Sequence, residues 1–70
     1  MNNMFEQAMS LHYRLDSLRA EHRELDEAIS RLCSDPRDDE LTVRRLKKRK
    51  LLIRDRINII EHMLEPDNKA

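Results

Sequence analysis

Three residues of this 70-residue chain have the types and spacing to do chemistry together: His22, Asp26 and Lys50. Asp26 follows His22 by one helical turn, so the imidazole can donate to the carboxylate. Lys50 brings an ammonium to the same place if the chain folds back on itself. An imidazole oriented by a carboxylate beside an ammonium is material for general acid–base catalysis. The other requirements are missing from the sequence. No activated nucleophile stands beside the set, glycine is absent so no glycine-rich loop exists, and a chain this short offers no deep cleft. The expectation is a non-enzymatic chain with no catalytic residues, in which the three form a polar layer that fixes how two helices meet.

His12, His62 and Cys33 invite a metal reading. Zinc normally takes three or four ligands. Along a helix Cys33 lies about 31 Å from His12 at 1.5 Å per residue, too far to share a site. No metal and no cofactor are expected. As the single cysteine, Cys33 excludes an internal disulfide and fits a reducing compartment, with a disulfide between two copies left open.

The elements that position these residues are legible from apolar spacing. Met4, Ala8, Leu11, Leu15, Leu18, His22, Leu25, Ile29 and Leu32 alternate steps of four and three. That repeat is a coiled-coil seam rather than a broad amphipathic face. A second seam runs Val43, Leu46, Lys50, Ile53, Ile57, Ile60, Leu64. His22 and Lys50 are the polar residues on these two seams. The spacing predicts one domain: helix 1 over 4–33, a loop over 34–38, helix 2 over 39–65 and a loose tail over 66–70, with residues 1–3 frayed. Pro36 and Pro66 are the punctuation. Asp39 is the preferred cap of helix 2, with Asp35 a competitor. The absence of glycine excludes a small β-fold, which would need it in turns.

A loop this short makes the helices antiparallel. Charge favours the register in which Leu25 faces Lys50 and Ile29 faces Leu46. Asp26–Lys47, Glu21–Arg56 and His12–Glu61 are then compatible pairs, and Arg19–Arg54 alone conflicts. A slip of one heptad opposes Asp26 to Glu40 and Arg19 to Lys47, leaving Glu21–Arg49 as its favourable pair. The fold class is therefore all-α, an antiparallel two-helix hairpin with coiled-coil heptads.

Two helices cannot surround a seam, and a second apolar surface suggests the remedy. It consists of Phe5, Met9 and Tyr13 on helix 1 and Leu52, Ile59 and Met63 on helix 2, with Leu51 beside them. Its expected use is contact with a second copy, giving a dimeric four-helix bundle, or with a helical protein partner.

The basic run offers the alternative. Arg44, Arg45, Lys48 and Arg49 could present an outward face to nucleic acid. Residues 39–65 carry eight Lys/Arg against five Asp/Glu, and residues 4–33 carry four against six. The two helices thus answer each other's charge, and no aromatic stands near the run to stack on bases. The whole chain balances 14 basic against 14 acidic residues, so no overall field steers it to nucleic acid or a membrane. The first ten residues lack a basic segment followed by an apolar run, and nothing approaches a membrane span. The expectation is a cytoplasmic protein with no membrane contact.

The stretch His22-x-x-Leu25-Asp26-x-x-Ile29, followed by Leu46-Lys47-Lys48-x-Lys50-Leu51-x-Ile53-Arg54-Asp55-x-Ile57, resembles the YdcH-like family of small bacterial proteins. The resemblance covers roughly Leu18 to Leu64. Where that family often has Leu-Lys-Asp-Glu-Ile, this chain has Ile53-Arg54-Asp55-Arg56-Ile57, which alters a flanking charge at Arg56. The resemblance implies a bacterial cytoplasmic hairpin prone to coiled-coil assembly, of unknown function and with no catalytic residues to carry over.

Overall fold

A computed structural model describes residues 3–35, 37 and 39–65. Two helices account for nearly all of them: α1, Met4–Cys33, and α2, Glu40–Leu64. No strand occurs among the described residues. Ion pairs join Arg19 to Glu61 and Asp26 to Lys50, so residue numbers rise along α1 as they fall along α2. The fold is an antiparallel helical hairpin.

Each helix starts on a side chain that takes up orphaned backbone N–H groups. Asp39 accepts from the N–H groups of Leu41 at 3.2 Å and Thr42 at 3.3 Å, and from the Thr42 hydroxyl at 2.6 Å. At α1 the sequence expectation needs correction. Asn3 is not frayed: its side-chain oxygen accepts from the Glu6 N–H at 2.7 Å. An acidic residue in that first turn also suits the positive end of the helix dipole.

The helices end for local reasons. Beyond Cys33 the Ser34 hydroxyl donates to the Ser30 carbonyl at 3.0 Å, and the Asp35 carboxylate accepts from the Arg37 N–H at 2.9 Å. That second bond closes a side-chain-built turn and helps reverse the chain. At the other end Glu65 is extended, with φ −78° and ψ 129°, the conformation forced on a residue that precedes proline. Pro36 and the tail 66–70 lie outside the described residues.

The core is small. Leu15, Val43, Ile53 and Ile60 are buried, and all four are seam positions. Leu11, Leu18, Leu25, Ile29, Leu32, Leu46, Ile57 and Leu64 are only half-buried. The cause is geometric: each helix has one neighbour, so the seam is covered from one side. Met4, expected on the seam, is 83% exposed. In this register Leu64 lies near the height of Leu11, and α2 ends there. Nothing in α2 remains to cover Met4.

At 3% exposure, Ile53 is the tightest point of the hairpin among the described residues. Replacing it by alanine should cost roughly 2–5 kcal/mol, the range for a buried isoleucine, and the half-buried Ile57→Ala should cost clearly less. Urea unfolding followed by helical circular dichroism measures both. Equal losses at the two positions would contradict a core centred on Ile53.

Candidate functional site

His22 and Asp26 stand one turn apart on α1, and Lys50 reaches them from the α2 seam. The Lys50 Nζ is 2.5 Å from Asp26 Oδ1, and His22 Nδ1 is 3.8 Å from Asp26 Oδ2. The first contact is a charge-assisted hydrogen bond. The second is too long to be a hydrogen bond and acts through charge alone when the ring is protonated. Lys50 lays its four-carbon stem along the seam and brings its ammonium to the half-exposed carboxylate at the edge. The other imidazole nitrogen, His22 Nε2, is buried without a hydrogen-bond partner.

The Asp26 carboxyl is held below its ordinary value of 3.8. The hydrogen bond from Lys50 is the main cause and partial desolvation opposes it, while the charges of Lys50 and His22 lower it further. A carboxylate kept ionised by an adjacent ammonium is a poor proton acceptor. The arrangement is suited to pinning one helix to the other.

Two more pins flank this one. Arg49 donates from Nε at 3.0 Å and from Nη2 at 2.8 Å to the same Glu21 oxygen. Arg19 donates from Nη2 to Glu61 at 2.7 Å. Two expected pairings are thereby corrected: Glu21 takes Arg49, the pair read for the slipped register, rather than Arg56, and Glu61 takes Arg19 rather than His12. Asp26 takes Lys50, its neighbour in the polar layer, rather than the flanking Lys47. The conflict foreseen between Arg19 and Arg54 is relieved because Arg19 turns to Glu61. The guanidinium arms are long enough to bridge the roughly 7 Å of axial offset that separates partners five residues out of step. The short Asp26 finds its lysine almost level with it.

The apolar candidates are all exposed: Phe5, Met9, Tyr13, Leu52, Ile59 and Met63, and with them Leu51 and Leu41. Two adjoining grooves run along the outside of α2, one past Lys48, Leu52 and Asp55, the next past Asp55, Ile59 and Met63, and both are lined by α2 alone. Phe5, Met9 and Tyr13 belong to the N-terminal third of α1. Leu41 was missed by sequence reasoning although its spacing from Leu52 puts it on the same strip. Three helical turns take about eleven residues.

Of the basic candidates, Arg44, Arg45 and Lys48 are exposed and Arg49 is committed to Glu21. The four do not form one free face. His12 borders a groove with Glu61 and Leu64, His62 another with Ile59 and Met63. Among the described residues no cluster of His, Cys, Asp or Glu is placed to hold a metal ion. Cys33 is exposed. No helix among the described residues is long and apolar enough to cross a membrane.

Fold and side chains together define a small two-helix hairpin closed by cross-helix ion pairs. The chain belongs to the family described as "Protein of unknown function (DUF465)", whose profile matches residues 15–61. That span begins at the buried Leu15, ends at Glu61, and contains the four buried residues and the three cross-helix ion pairs. No curated protein and no solved structure matches the chain.

Because the folded Asp26 carboxyl is lowered, its stabilisation is fully present above pH 3.8 and is lost as pH falls through the folded value. Asp26→Asn should therefore lower the melting temperature at neutral pH by a few degrees, and the gap to the parent should close in acid. Asp39, lowered mainly by the Thr42 hydroxyl, leaves acid sensitivity in the variant too. Thermal melts from neutral pH down to about pH 2 test this; a gap that persists in acid would show that charge at Asp26 is not its source.

Proposed function

We propose that the chain is a non-enzymatic interaction module of the bacterial cytoplasm, related to the YdcH-like proteins, that works by self-association or by docking a partner helix. The observation that carries this reading is the balance of apolar side chains. Among the described residues four are buried, while nine large ones, Leu52, Ile59 and Met63 among them, are more than half exposed. Contiguous apolar surface of this kind on a small protein marks a contact with another chain. A hairpin with so small a core gains stability by burying such a strip, and association supplies that burial.

Of the two modes, self-association needs no further component, and a pair of hairpins gives a four-helix assembly. The nucleic-acid reading draws less support, since one of its four cations, Arg49, is already neutralised by Glu21.

Sedimentation equilibrium at micromolar concentrations should report at least a dimer, and Ile59→Asp with Met63→Asp should shift the chain toward monomer while its helical signal persists. A well-folded monomer at high concentration would refute self-association.

A further inference from the structure

The outer strip of α2 has a pattern that selects its occupant. Leu52 is its centre. Leu41 and Met63 lie eleven residues to either side, and Arg45 and Ile59 seven. Lys48 lies four before and Asp55 three after. At 3.6 residues per turn all of these fall on one side of the helix. Leu41, Leu52, Ile59 and Met63 are 51–61% exposed. Lys48 and Asp55 are exposed, line the same groove as Leu52, and form no ion pair among the described residues.

We propose that this strip binds the same strip of a second copy, antiparallel, with a two-fold axis through Leu52. The proposal rests on the self-association reading and names the surface that performs it. A two-fold axis perpendicular to two antiparallel helices sets each flank against the same flank of the partner. An interface of this kind must be complementary to itself. The strip meets that requirement. Leu52 meets Leu52 of the second copy, and Leu41 meets Met63 twice over. The stem of Arg45 crosses Ile59, with its guanidinium in water. On the shared flank Lys48 faces Asp55 of the second copy, and Asp55 faces its Lys48. A parallel pairing is worse, because it would set Arg45, close to the contact line, against its own copy. The side of the grooves away from α1 is open, so the hairpin need not rearrange.

The charge pair makes the test specific. Lys48→Asp should weaken the dimer about tenfold, because it sets like charges opposite each other at two symmetry-related places, and Asp55→Lys should do the same. The double exchange, Lys48→Asp with Asp55→Lys, should restore nearly the parent affinity. In a Cys33→Ser background, Leu52→Cys should oxidise readily to a disulfide-linked dimer, whereas Phe5→Cys should not. Sedimentation measures affinity, and circular dichroism confirms that each variant keeps its helices. If the parent is a dimer but the double exchange does not recover it and Leu52→Cys does not crosslink, this surface is wrong and self-association stands on another one. If the parent is a monomer, both fall.

Discussion

A lysine in the middle of an apolar seam can be tolerated only where its ammonium finds an acceptor at the edge. Lys50 has one, Asp26, and the contact joins α2 to α1 at this layer. Leucines and isoleucines at heptad spacing do not exclude a slip by themselves, because a shift of seven residues replaces one apolar layer with another. A slipped chain would take Lys50 away from Asp26 and set it in the layer of Leu18, beside Arg19. The polar pair adds only modest net stability, since both partners remain partly in water. We propose that it acts instead by making the slipped alternative worse. Arg49–Glu21 and Arg19–Glu61 close over the same arrangement.

The single layer explains the remainder. With one neighbour per helix, only Leu15, Val43, Ile53 and Ile60 are buried among the described residues, and none of them completely. The outer face of α2 keeps leucine, isoleucine and methionine in water. The matched family span encloses the core and the three cross-helix ion pairs, whereas Phe5, Met9, Tyr13 and Met63 fall outside it.

Much of the hairpin was legible because it depends on local rules. Spacing of three and four located both helices, and Asp39 could be named as a cap from its type and place. The failures have a common physical origin in features that depend on where the second helix stops or how far a side chain reaches. Met4 obeys the heptad yet is exposed, because coverage depends on the end of α2. Arg19–Glu61 escaped pairing by height, and Glu21–Arg49 was assigned to the slipped register, because guanidinium arms span several residues of offset. Asn3 was passed over as a frayed end although asparagine ahead of a seam is a start signal. Leu41 was hidden because its strip is interrupted by Arg45 and Lys48, which break the apolar run without leaving the face.

We propose that His22 and Lys50, with Asp26, fix the register. Spin labels at Glu27 and Lys47, which lie level across the hairpin and are exposed, read it directly when labelled chains are diluted with unlabelled ones. The parent should give one narrow distance distribution. The double change His22→Leu with Lys50→Leu should raise the melting temperature and yet split the distribution, the added population displaced along the axis by about 10 Å, the length of a heptad. A single unchanged distribution in the double variant would mean that the apolar seam sets the register alone, and would contradict the account.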